Sequence, residues 1–133
     1  MATTTARQRR EKARQEFDVY VATCPSRRLL DAISDKWVSL VIVALGDGAM
    51  RYSELATRLA GVSQKMLTQT LRGLERDGMV TRTVTASVPV RVDYELTALG
   101  ESLRGQLALM HVWAQSHMAE VDRAREVYDR AAS

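Results

Sequence analysis

One cysteine, Cys24, stands among the 133 residues, so no disulfide can close within the chain, and such usage fits a reducing cytoplasm. No apolar run approaches the roughly 20 residues that a bilayer-spanning helix needs, and no membrane partner is expected. The opening Met-Ala-Thr-Thr-Thr-Ala-Arg-Gln-Arg-Arg is polar and basic, without the apolar centre of a signal peptide, so export is not expected either. The parts of an active site are missing as well. His111 and His117 are the only histidines, and neither has cysteines or paired carboxylates at metal-ligand spacing. There is no glycine-rich phosphate loop, and Cys24 has no histidine near it in sequence to serve as a base. An enzyme, a cofactor and a metal are therefore not expected. Internal repeats and low-complexity tracts are absent too.

What is present suits one domain with a real core: 46% hydrophobic and 26% charged residues. A net charge of +3 permits a polyanionic partner without demanding one. Where the charge sits matters more, and the informative stretch runs from Ser63 to Gly78. It reads as one helix, with Ser63 able to accept from first-turn amides and Gly78 able to close the last turn in a left-handed conformation. At about 100° per residue, Met66, Leu67, Thr70, Leu71 and Leu74 gather on one side and Gln64, Lys65, Thr68, Gln69 and Arg72 on the other. The second face holds amides, a hydroxyl and two cations with no carboxylate, and such groups read base edges in a major groove. A solvated face of an ordinary amphipathic helix would look similar, so the flanking segments decide.

From about Ala6 to Ala22 the pattern is helical, with Arg7, Arg9, Arg10, Lys12 and Arg14 at the front and Phe17, Tyr20 and Val21 behind them. It reads as a basic arm with an apolar anchor, although a frayed, solvated terminus is the natural expectation for the first ten residues. Cys24-Pro25-Ser26 starts a short helix, Arg27 to Ser34, with Leu29, Leu30 and Ile33 expected inward. After a break near Asp35, Lys36 to Leu45 should run through the core, presenting Trp37, Leu40, Val41, Val43, Ala44 and Leu45, and Gly46-Asp47-Gly48 stops it. Met50-Arg51-Tyr52 suits a very short strand, after which Ser53 should cap a helix carrying Leu55, Ala56 and Leu59. Two capped helices joined by Gly61-Val62 make a helix-turn-helix candidate. Met79 to Thr85 and Val90 to Leu96 then read as two strands around Ala86-Ser87-Val88-Pro89. A reading-type helix followed at once by a hairpin is a winged helix-turn-helix. Arg82 and Arg91, with Thr83, Thr85 and Ser87, would give that hairpin phosphate contacts that position without reading sequence. Thr97 caps a long final helix on which Leu99, Leu103, Leu107, Met110, Ala114, His117 and Val121 recur at spacings of three and four.

The expected class is thus mainly α with a small β hairpin (α+β). Residues 1–22 would form a basic arm and dimerisation helix, 24–97 the winged helix-turn-helix, and 98–133 a C-terminal dimerisation helix. The interface would use Phe17, Tyr20, Val21, Leu103, Leu107, Met110, Ala114 and Val121, in a homodimer matched to a palindromic duplex operator. The other course for the last helix is to fold back onto its own domain.

Cys24-Pro25 ahead of Arg28-Leu29-Leu30, Asp35-Lys36-Trp37, Arg51-Tyr52-Ser53-Glu54-Leu55, Gly61 to Thr68, Leu74-Glu75-Arg76-Asp77-Gly78 and Val88 to Thr97 resemble, in order and spacing, the HxlR-type regulators. These are bacterial winged-helix transcription factors akin to the MarR group, and the resemblance covers roughly Cys24 to Leu103. It implies a dimeric DNA-binding regulator with the Ser63 helix in the major groove and the hairpin at the backbone or minor groove. The chain departs from the usual pattern at Ser26, where many members have valine, and at Val90, where a double proline is common. The basic N-terminal extension lies outside the resemblance. In part of the family the cysteine matching Cys24 senses oxidants or electrophiles. Its place before a helix start, near Arg27 and Arg28, suits a reactive thiolate, whereas a buried small hydrophobe is the plainer role. A small-molecule effector near Trp37, Tyr20, Trp113 and Met110, with a merely structural Cys24, is the other regulatory reading. A winged-helix module that binds protein instead of DNA is the remaining class.

Overall fold

The computed structural model describes residues 5–17 and 24–133, the first stretch by backbone alone from residue 15 onward. Tyr20 and Val21, and the side chain of Phe17, therefore lie outside the described residues. The chain forms two compact units, Met1–Ser39 and Leu40–Ser133.

In the first unit, α1 (Ala6–Phe17) has a defined start. The Thr5 hydroxyl accepts the Gln8 N–H at 3.1 Å, and the Gln8 side chain accepts the Thr5 N–H at 2.9 Å, a reciprocal cap that satisfies two first-turn donors. Residues 6–10, for which fraying was the expectation, are helical behind this cap, and residues 1–4 lie outside the described residues. Helix α2 (Pro25–Ile33) begins with Pro25 at its first position, where a missing N–H costs nothing. Leu29 and Leu30, expected inward, are 44% and 54% exposed, and no α2 residue is buried. Hydrophobic side chains on a short helix mark a face that a partner can cover. Asp35 then accepts the Trp37 N–H at 2.9 Å and starts α3 (Lys36–Leu45), whose last six residues belong to the second unit.

There, Val41, Ile42, Ala44 and Leu45 are buried, whereas Leu40 and Val43 point outward and are exposed. Ile42, not singled out in the sequence, is among the largest fully buried side chains because a helix this apolar has no unique inner face. The turn after α3 is tied by Asp47, which accepts from Arg58 at 2.6 Å. Strand β1 (Met50–Arg51) leads into α4 (Tyr52–Arg58), whose cap position is Arg51 and not Ser53. Glu54 accepts the Arg51 N–H at 3.2 Å and so closes the first turn two residues earlier than a Ser53 cap would. Helix α5 (Gln64–Arg76) follows with the expected Ser63 cap, its hydroxyl accepting from Met66 N at 3.1 Å, and ends before Gly78 at φ +75°. Leu67, Thr70, Leu71 and Leu74 are buried beneath it, beside Leu55, Leu59 and Val80.

Strands β2 (Val80–Thr85) and β3 (Arg91–Leu96) pair antiparallel from Val80 opposite Leu96 to Thr85 opposite Arg91. Met50 pairs with Tyr94 on the other edge, so the sheet order is β1-β3-β2. Helix α6 (Ala98–Ala132) is 35 residues long, yet only Gly100 and Leu107 on it are buried. Along the expected seam, Leu103, Ala114 and Val121 are half-buried, while Leu99, Met110 and His117 are exposed. Beyond Leu107 no residue of the helix is fully buried.

Candidate nucleic-acid interface

The outer side of α5 and the hairpin face a common open groove of about 590 Å³, lined by Tyr52, Gln64, Thr68, Arg72, Glu75, Arg82, Val92 and Tyr94. Four of the residues singled out in the sequence, Gln64, Thr68, Arg72 and Arg82, meet there. Their placement follows from local rules. The Ser63 cap fixes where α5 starts, the buried Leu67-Leu71-Leu74 row fixes its rotation, and the pairing of Arg82 with Tyr94 sets the height of Arg82 on the hairpin. Lys65 and Gln69 are exposed on α5 outside the groove lining, and the Ser63 hydroxyl is engaged in the cap.

Arg91 is placed differently. It lines a separate hollow with Arg51, Tyr52, Ser53, Pro89, Val90 and Val92. Its Nε donates to Asp93 at 2.9 Å, and that carboxylate, by hydrogen bond and charge, holds the guanidinium pKa above its ordinary value. Ser87, counted among the hydroxyls for phosphate, donates to Pro89 O at 2.8 Å within the turn.

Four lining residues, Tyr52, Glu75, Val92 and Tyr94, are not among the expected contacts, and the first two bear on the surface. The Tyr52 hydroxyl lies 3.1 Å from Gln64 O and 3.3 Å from Thr68 Oγ1, tying the first residue of α4 to the first turns of α5. Tyr52, expected at the end of the short strand, opens α4 instead, and nothing local in the sequence signals a contact across twelve residues. Glu75 corrects the expectation of a face without carboxylates. At 100° per residue it lies only about 20° from Gln64 around the helix, so continuing the helical count one turn past Arg72 would have found it. A carboxylate there can accept from a cytosine amino group and repels phosphate, which restricts where the backbone can run.

Cys24 occupies the cap position of α2, makes no side-chain cap bond, and is fully buried. On α6, His117 stacks on Trp113 at 4.6 Å between ring centroids, its Nδ1 2.9 Å from Trp113 O. Among the described residues no group of three or more His, Cys, Asp or Glu side chains is arranged to hold a metal, and no helix is long and apolar enough to cross a membrane.

The family described as HxlR-like helix-turn-helix matches residues 32–122. The uncharacterized HTH-type transcriptional regulator YtfH of Escherichia coli (strain K12) is 38% identical over 118 residues, 89% of this chain and 92% of that protein. Among solved structures, the transcriptional regulator ytfH from Salmonella typhimurium superposes with a TM-score of 0.74 at 38% identity, over 82% of this chain and 97% of its own. The redox regulator HypR in its oxidized form superposes with a TM-score of 0.66 at 37% identity, over 71% of this chain and 97% of its own. With a capped reading-type helix, a three-stranded wing and these relatives, the chain belongs to the HxlR-like helix-turn-helix family of DNA-binding transcriptional regulators.

Proposed function

We propose that the protein is a cytoplasmic repressor that binds a palindromic duplex operator as a homodimer. Helix α5 enters the major groove, with Ser63 at its leading end and Gln64, Lys65, Thr68, Gln69 and Arg72 toward the bases, while Arg82 and Arg91 meet phosphates. The groove that gathers Gln64, Thr68, Arg72 and Arg82 carries this reading, since it joins base-reading amides and cations to a hairpin cation on one surface. Exposed apolar side chains on α2 and α6 support the dimer.

The test is to enrich genomic DNA fragments with the purified protein and measure binding to the recovered sequence against scrambled duplex across salt concentrations. Sequence preference that Arg72→Ala or Gln69→Ala relaxes by about 1–3 kcal/mol is the expected outcome. An unchanged specificity ratio in both variants would remove α5 from the reading role.

A second reading concerns input. The likeness to a protein described as a redox regulator favours a thiol response at Cys24. With one cysteine per chain, an oxidised thiol would have to pair with the other subunit or a small thiol, or be alkylated by an electrophile. Its burial requires the start of α2 to open before a reagent arrives. Diamide or a quinone should then abolish operator binding by the wild type on the time scale of that opening and leave Cys24→Ser bound. Equal loss in both proteins would reduce Cys24 to a core residue.

A further inference from the structure

The net charge of this chain is placed unevenly. Nineteen basic and sixteen acidic residues leave +3. The unit Leu40–Ser133, which holds the helix-turn-helix, the hairpin and α6, carries eleven of each and is neutral. Residues 1–17 carry five basic and two acidic residues, which accounts for the whole +3, because residues 18–133 hold fourteen of each. A neutral reading unit has local cations to position it on DNA but no net charge to draw a polyanion from a distance.

The charge in residues 1–17 is displayed on a built element. Helix α1 starts at the reciprocal Thr5–Gln8 cap, and Arg7, Arg9, Arg10, Lys12 and Arg14 are all exposed along it. Arg7, Arg10 and Arg14 fall within about 60° of one another around the axis. Glu11 bonds Arg14 at 3.2 Å, an exposed pair too weak to remove that cation from other partners. Phe17, at the last position of α1, is its only aromatic or large aliphatic residue, too little for the apolar inner face that a helix lying in a lipid interface needs. The twelve residues of α1 extend about 18 Å, equal to the axial rise of about five base pairs of duplex DNA.

We propose that α1 is a second DNA-contacting surface, which lies on the phosphates flanking the operator and supplies most of the sequence-independent attraction. This rests on the duplex-DNA reading above. Each phosphate neutralised releases counterions, so the arm adds to the salt dependence of binding and leaves base preference to α5.

The experiment uses the full-length protein with Arg7, Arg9, Arg10, Lys12 and Arg14 changed to glutamine, a good helix former. Binding to the enriched operator and to scrambled duplex is followed as a function of salt. At about 0.1 M salt both affinities should fall at least tenfold, their ratio should hold within about twofold, and the slope of log affinity against log salt should flatten by about 3 or more. A second variant with the four arginines changed to lysine should keep the slope, since a phosphate accepts either charge. Independently of any substitution, wild-type protein on duplexes of decreasing flank length should lose the same part of its slope. An unchanged slope in the glutamine variant, or no dependence on flank length, would make the arm a solvated helix and overturn the proposal. So would a loss confined to the operator, or one seen on single-stranded RNA or anionic vesicles but not on duplex DNA. Failure of the wild type to bind any duplex would instead overturn the operator reading itself.

Discussion

Thr97 joins the end of α5 to the long last helix. Its N–H donates to Met79 O at 3.0 Å, its hydroxyl donates to Gly78 O at 2.5 Å, and the same oxygen accepts the Gly100 N–H at 3.1 Å. Gly100 belongs to this joint, because a Cβ there would run into the Met79 carbonyl oxygen, which is backbone and cannot swing aside. Gly100→Ala should therefore destabilise the protein by about 1–3 kcal/mol in urea unfolding, as overpacking does. Thr97→Val keeps the volume and loses the cap and the hydroxyl bond, for about 1–2 kcal/mol. Equal stability of wild type and Gly100→Ala would show that the joint yields. Tyr52 touches α5 itself. Tyr52→Phe removes only the oxygen that ties Gln64 and Thr68 to α4. Stability should drop by no more than about 1 kcal/mol, while base preference should broaden at the positions under the first half of α5. Sequencing of DNA selected by the two proteins checks this, and identical preferences would limit Tyr52 to packing.

Among the elements, the hairpin offers two arginines with unequal freedom. Arg82 faces the groove opposite Tyr94, whereas Arg91 already holds Asp93. Arg82→Ala should weaken binding to all duplexes and flatten the salt slope by about 1, the share of one phosphate contact. Arg91→Ala should do so less, since a phosphate must displace Asp93 first. The reverse order would place the hairpin on the backbone by its other edge. The helices and strands were legible wherever period and punctuation agreed. Ser63, Gly78 and the Leu67-Leu71-Leu74 row defined α5, and the alternation from Val90 to Leu96 defined β3. The cap of α4 was misplaced because Ser53 is the better cap by residue type, while the closing bond comes from Glu54 reaching back to Arg51. Contacts between elements were not legible. The Tyr52 hydroxyl and the Arg91–Asp93 pair depend on geometry that residue type alone does not fix. Leu29, Leu30, Leu40 and Val43 were assigned inward on hydrophobicity alone, and that criterion cannot separate a core from a surface that a partner covers.

At the scale of the whole molecule, α6 poses the clearest demand. A helix of 35 residues extends about 52 Å, and after Leu107 none of its side chains is buried. Met110, Trp113, Met118, Val127 and Tyr128 are exposed along that stretch, and Tyr128 returns to the angular position of Met110 after five full turns. The five spread over about half of the helix circumference, and so much exposed apolar surface is not kept in water by helix propensity alone. Most helical stability in proteins comes from packing an apolar face, and exposed patches of this size mark interfaces. A second copy of the same helix offers a matching patch, and twofold symmetry lets one surface serve both partners. The same symmetry would set two α5 helices one turn of duplex apart, about 34–36 Å, as a palindromic operator requires. Full-length protein should therefore sediment as a dimer at micromolar concentration. Met110→Glu with Trp113→Glu should drive it toward monomer, with loss of binding to the palindrome but retention of weak, salt-sensitive binding to a half-site. Truncation after Leu107 should leave a monomer or insoluble protein for the same reason. A folded full-length monomer at that concentration would rule out the α6 interface, and the exposed patch would then need a different partner.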